Sequence, residues 1–150
     1  MSPLEALIRD EIARDGPMRL DRYMGLALGH PEHGYYMARP AIGAEGDFTT
    51  APEISQMFGE VLGAWLAHMW ASMGAPAPVA LVELGPGRGV LMADIWRVFA
   101  KVSGLREACR IHLVETSPRL RAAQEARLRN APVSWHDSLD DVPEMPLLLV

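Results

Sequence analysis

Residues 79–89 constrain this chain more than any other stretch. Val79-Ala80-Leu81-Val82-Glu83-Leu84 is an apolar run broken only by Glu83, and Gly85-Pro86-Gly87-Arg88-Gly89 follows at once. A short apolar run closed by glycines reads as a fully buried strand. The glycines allow a sharp turn and a close approach of backbone to a ligand, where the next helix offers unpaired N–H groups. Beyond the turn, helices and strands alternate. Residues 90–102 read as a helix with Leu91, Ile95, Val98 and Phe99 inward, and 111–114 as a second strand. Ser117 caps a helix with Pro118 at its first position, running to about residue 130; 133–135 is a third strand and 146–150 a fourth. Strands alternating with helices build a parallel sheet, so the fold class is α/β and Rossmann-like. A sheet that stops at its fourth strand leaves an apolar edge, so the chain is expected to be the front portion of a longer one.

The first half has a different texture. Ser2-Pro3-Leu4-Glu5 has the spacing of a helix start, Leu4, Ile8 and Ile12 share one face, and Asp15-Gly16-Pro17 closes the helix. A second short helix holds Leu20, Met24 and Leu28, and residues 29–52, rich in Gly, Pro and His, read as an ordered functional loop. Ile54, Met57, Phe58, Val61, Leu62, Trp65, Leu66, Met69 and Trp70 then step alternately by three and one, which predicts one long core-facing helix. Residues 74–78 form a linker. Two regions are expected: a helical one over 1–78, with an active-site loop at 43–53, and the first half of a ligand-binding domain over 79–150.

Composition removes several function classes. The net charge of −5 argues against a broad nucleic-acid surface. The single cysteine, Cys109, cannot close an internal disulfide, and no apolar run reaches the ~20 residues of a membrane span. Glu5, Asp10 and Glu11 fit neither a secretory signal nor an Arg-rich transit peptide, so cytoplasm is the expected compartment. His30 and His33 flank Pro31 with no third ligand near, and no metal is expected.

Three details sharpen the reading of the turn. A dinucleotide fingerprint wants Gly or Ala where Val90 stands, which counts against a dehydrogenase. Glu83 would repel a pyrophosphate but suits a ligand bearing an ammonium and a sulfonium. Glu115, ending the second strand, is placed to accept both hydroxyls of an adenosine ribose. Asp137, at the end of the third strand, is the candidate for the adenine amino group, with Asp140 and Asp141 close by. The pattern points to an adenosine pocket and, through Glu83, to a methyl donor.

Three segments also carry a resemblance. Gly46-Asp47-Phe48-Thr49-Thr50-Ala51-Pro52-Glu53-Ile54-Ser55-Gln56-Met57-Phe58-Gly59-Glu60, then Glu83 to Gly89, then Glu115-Thr116-Ser117-Pro118-Arg119-Leu120, resemble the family of the mitochondrial complex I assembly-factor protein arginine methyltransferase and its bacterial relatives. The resemblance extends to His33-Gly34-Tyr35-Tyr36. It implies a class I methyltransferase sheet and S-adenosyl-L-methionine held by Glu83, Gly85, Pro86, Gly87, Gly89, Glu115, Thr116, Asp137 and Ser138. Asp47 and Glu53 become candidates for positioning the acceptor. It further implies a protein substrate, for example a subunit of the respiratory NADH dehydrogenase, and a mitochondrial matrix location for a eukaryotic homologue. A non-catalytic assembly chaperone with an adenosine pocket, or a methyltransferase with a small-molecule acceptor, are the alternatives.

Overall fold

The computed structural model describes residues 1–38 and 48–150, and they form two compact units, Met1–Phe48 and Thr49–Val150. In the first unit, α1 (Pro3–Asp15) begins as the sequence predicts: the Ser2 side chain accepts the Glu5 N–H at 3.1 Å. Gly16, at φ 88°, ends the helix by donating to the Ile12 carbonyl. Arg22 of α2 (Leu20–Gly29) forks onto both carboxylate oxygens of Glu11 at 2.9 Å. Tyr35–Ala38 forms a one-turn α3 inside the stretch expected to be loop.

The second unit opens with α4 (Ala51–Ile54) and α5 (Gln56–Ser72), followed by β1 (Val79–Leu84), α6 (Val90–Phe99), α7 (Leu105–Ala108), β2 (Cys109–Val114), α8 (Pro118–Arg127), β3 (Val133–His136) and β4 (Leu147–Leu149). All pairings are parallel and the order is β3-β2-β1-β4. The order reverses at β1, and in open α/β sheets the crevice beyond the carboxyl ends of the strands at such a reversal is where ligands bind. Val79, Leu81, Ile111 and Leu113 of the central strands pack with Ile95 and Phe99 of α6 and Leu66 and Trp70 of α5 in one core. The sequence boundary expected at residue 78 falls inside this unit, because α5 packs directly against α6.

The long apolar stripe behaves differently from its expectation. Ile54 belongs to α4, and Ser55 separates the two helices, its side chain accepting the Met57 N–H. α5 buries Gly59, Gly63, Leu66, Ala67 and Trp70, while Met57, Phe58, Val61 and Trp65 are exposed. A stripe that steps by three and one is wider than one contact face, and the closest contact forms where side chains are smallest. A Cβ on Gly59 would stand 2.5 Å from the Asp94 Cβ, and one on Gly63 would stand 3.1 Å from the Ile95 Cα. In α6 the buried set is Met92, Asp94, Ile95, Trp96 and Phe99. The expected Leu91 and Val98 are only half-buried.

Gly59→Ala should therefore destabilise the protein by about 1–3 kcal/mol, the usual cost of overpacking. Gly25→Ala is the contrasting change, since nothing lies within 4 Å of its added Cβ and Ala is favoured in a helix by roughly 0.5–1 kcal/mol. Denaturant midpoints that move alike in both variants would refute the close-contact account.

Candidate functional site

The site is built where β1 leaves the sheet. Gly85, Gly87 and Gly89 have φ of 67°, 54° and 73°, the left-handed region that side chains avoid. The Gly85 N–H donates to the Val114 carbonyl at 3.0 Å, and the Gly89 N–H to the Pro86 carbonyl at 2.8 Å. Gly89 is the N-cap of α6, with no side chain capping the helix. Among the described residues, chain neighbours aside, a Cβ on Gly85 would meet no atom within 4 Å, so space is open beside the turn at that point.

Two acids frame the turn. Glu83 is buried at 6% exposure, and its Oε2 has no hydrogen-bond partner among the described residues. Burial alone pushes its carboxyl up to about 7, since a desolvated carboxylate has lost its water without gaining a counter-charge. Glu115, one residue beyond β2, is also buried. Its Oε1 accepts the Ser117 N–H at 2.8 Å, and its Oε2 faces the Gln124 Nε2 at 3.4 Å. The carboxylate is thereby oriented while retaining acceptor capacity.

The remaining candidates occupy a range of positions. Thr116 is exposed beside Glu115. Asp137 is exposed and tied to Arg121, whose guanidinium stands 2.7 Å from Oδ1. Ser138 caps the turn Leu139–Asp141 with its hydroxyl, and Asp141 returns a bond to the Ser138 N–H. Glu53 is brought to the glycine turn: its Oε2 lies 3.7 Å from Arg88 Nη1. Asp47, with residues 43–46 of the expected 43–53 loop, lies outside the described residues. The His30 and His33 rings stack, and His30 Nδ1 accepts the backbone N–H groups of Glu32 and His33, so His30 organises a turn. Among the described residues, no three His, Cys, Asp or Glu side chains gather as a metal site requires, and no helix is long and apolar enough to cross a membrane.

Sequence reasoning missed Arg88, Arg121 and Gln124. Arg121 donates to the Glu115 carbonyl at 2.6 Å and the His136 carbonyl at 3.0 Å, joining the ends of β2 and β3. Gln124 stands on the inward face of α8, four residues from both Leu120 and Leu128, and that spacing was the available signal.

Residues 61–150 match a family model described as an S-adenosyl-L-methionine-dependent methyltransferase. The chain belongs to that family. It is 44% identical to the mitochondrial protein arginine methyltransferase NDUFAF7 of Bos taurus, covering 89% of this chain and 36% of that protein. Identity to the Homo sapiens protein of the same name is 39%, over 96% of this chain and 38% of the relative. The chain thus spans a little over a third of the length of these relatives. A COG1565 superfamily member from Burkholderia thailandensis, solved bound to S-adenosyl-homocysteine, superposes with a TM-score of 0.74 at 28% identity. The match covers 97% of this chain and 40% of that one. A second structure of that superfamily from the same organism gives 0.71 at 31% identity, over 97% of this chain and 37% of the other. The class I methyltransferase-like fold expected from the sequence is the fold observed. The family's cofactor, S-adenosylmethionine, fits the residues present: a buried acid unpartnered among the described residues, open space at Gly85 and an oriented carboxylate at Glu115.

The Glu83 environment yields a pH prediction. The carboxyl titrates near 4.5 when unfolded and at about 7 when folded. Across that window the unfolded chain releases its proton while the folded chain retains it, so stability falls as pH rises and the loss is complete above about 7. Glu83→Gln in the ligand-free protein should gain roughly 1–3 kcal/mol over the parent at pH 8 relative to pH 4.5. Urea titrations giving a parent–variant difference independent of pH would contradict the assignment.

Proposed function

We propose that this methyltransferase transfers the methyl group of S-adenosylmethionine to an arginine side chain of a protein. The observation that carries the cofactor half is the buried Glu83, unpartnered among the described residues, before a glycine turn that is bonded to Val114, the residue preceding Glu115. Glu83 receives the ligand ammonium, which restores the counter-charge its burial withholds. Glu115 accepts the two ribose hydroxyls. The backbone of Gly85, Pro86, Gly87 and Gly89 lies along the ligand, and Thr116, Asp137 and Ser138 border its adenine end. The cofactor supplies an electrophilic methyl group on a sulfonium.

The acceptor half rests on the relatives named protein arginine methyltransferase and on Glu53 at the glycine turn. Carboxylates hold a guanidinium plane through paired charge-assisted bonds, and Glu53, with Asp47, serves that purpose here. Methyl transfer needs the acceptor nitrogen held in line with the methyl group and freed of water, so orientation supplies most of the gain. As the new N–C bond forms, the S–C bond breaks, its electron pair stays on sulfur, and the nitrogen gives up a proton to solvent or a nearby base. A subunit of the respiratory NADH dehydrogenase is the proposed protein substrate. The proposed compartment is the cytoplasm in a bacterium and the mitochondrial matrix in a eukaryote, the second in keeping with relatives named mitochondrial.

Calorimetry on the full-length protein tests the cofactor half. S-adenosylhomocysteine should bind and NAD should not. Glu115→Ala should cost roughly 10- to 150-fold in affinity through lost charge-assisted bonds. Gly85→Val should abolish binding in a protein that remains folded. Tight NAD binding, or unchanged affinity in the Glu115 variant, overturns the reading.

The acceptor half has its own test. Glu53→Gln should lower methyl transfer to protein arginine while leaving S-adenosylhomocysteine affinity within about threefold, since an interaction made mainly in the transition state is read in turnover. If melting temperature and activity fall together, Glu53 only supports the turn through Arg88. A purified active enzyme that methylates lysine or small molecules alone refutes the arginine acceptor.

A further inference from the structure

Gln124 is fully buried on α8 at 0% exposure, in a position where Leu would be the ordinary choice. A buried amide is costly unless its groups are paired, and this one is paired to three different segments. Its Nε2 donates to the Gly87 carbonyl at 2.8 Å and faces Glu115 Oε2 at 3.4 Å. Its Oε1 accepts the Trp135 indole N–H at 2.8 Å. An indole nitrogen only donates, so the amide oxygen must face Trp135 and the NH2 group must face the glycine turn and Glu115. The stem of the same side chain supports the turn from below: a Cβ on Gly89 would stand 3.3 Å from the Gln124 Cγ.

We infer that Gln124 is a positioning residue for the adenosine half of the cofactor, acting through Glu115. This rests on the methyltransferase reading above. The two elements that must face the same ligand, the turn after β1 and the acid after β2, belong to different strands and are joined by this one amide. With Ser117 N–H on one oxygen and Gln124 on the other, the Glu115 carboxylate is held in one orientation, its remaining lone pairs available to a pair of vicinal hydroxyls. Trp135 sets which way the amide faces, so β3 contributes to the pocket without touching the ligand. The specificity that follows is for the ribose: both hydroxyls must be present for the held carboxylate to be fully used.

The experiment is a double-mutant cycle in the full-length protein, read as dissociation constants for S-adenosylhomocysteine and for 5′-methylthioadenosine, with melting temperature alongside. Gln124→Met keeps the length and volume of the side chain and removes its polar groups. It should weaken both ligands roughly tenfold, the equivalent of one well-made hydrogen bond. In a Glu115→Ala background the same change should cost less than about twofold, because a residue that acts through Glu115 has nothing left to position. A 2′-deoxy analogue of 5′-methylthioadenosine should lose less to Gln124→Met than its parent does. Equal losses with and without Glu115, or affinity retained in Gln124→Met, overturn the inference and leave the methyltransferase reading intact. If the unaltered protein binds neither ligand, that reading fails and the inference with it. Should Gln124→Met not fold, Trp135→Phe carries the test. It removes the donor that orients the amide, and a loss of roughly threefold that vanishes with Glu115→Ala is expected.

Discussion

β1 is hydrogen-bonded along both edges, and the geometry of the site follows from that. Leu81 sits between Ile111 on β2 and Leu148 on β4, and Leu84 is level with Val114. At its end the chain leaves through a turn in which Gly85, Gly87 and Gly89 take left-handed backbone. Gly85 extends the ladder by one more bond, to the Val114 carbonyl, and the residue after Val114 is Glu115. Register alone therefore sets the glycine turn beside Glu115, at the ~4.8 Å spacing of neighbouring strands. The two cofactor contacts proposed above, the glycine turn and Glu115, are consequences of one pairing.

Glu83 costs stability in that strand, and its neighbours show how unusual it is. Cys109 is also buried, and burial pushes its thiol up to about 12, so it stays neutral and inert at any ordinary pH. His112 is lowered by burial and by the nearby His136, and it too settles into its neutral form. Glu83 at about 7 is balanced between forms. A buried acid with an unpartnered oxygen breaks the rules of a good core, and such breaks are found where a protein trades stability for a ligand.

What could be read in the sequence was the chemistry of single positions. Ser2 and Ser117 cap as their spacing implies, the glycines at 85, 87 and 89 make the turn, and the four strands fall within a residue or two of expectation. The four-residue helices Tyr35–Ala38 and Ala51–Ile54 are too short to leave a period. The inward face of α5 was hidden because its decisive residues, Gly59 and Gly63, are not apolar in pattern, and a Cβ-sized clearance from Asp94 and Ile95 is a tertiary fact. Gln124 reads as a lapse in periodicity unless its partners on three other segments are known. At the site, Glu83 and Glu115 stand where the sequence suggested, whereas Asp137 is tied to Arg121 and Ser138 is engaged in capping.

The helix α8 shows how these polar contacts are organised. Among its residues only Gln124 is buried, and Leu128 follows just past its end. So short a buried apolar surface cannot hold a helix firmly against the sheet. Polar links replace it, and all reach backbone or side chains at the strand ends. Arg121 ties the Glu115 and His136 carbonyls, Gln124 ties Gly87 and Trp135, and Arg127 donates to the Arg88 carbonyl at 3.1 Å. The Glu115, Gly87 and Arg88 carbonyls each gain a side-chain donor in this way, and the His136 carbonyl, which already accepts the Glu115 N–H at 3.0 Å, gains a second. Arg88, bonded to α8 through its carbonyl, places its Nη1 3.7 Å from Glu53 Oε2. The docking of α8 is thus coupled to the geometry of the glycine turn and of the acid after β2.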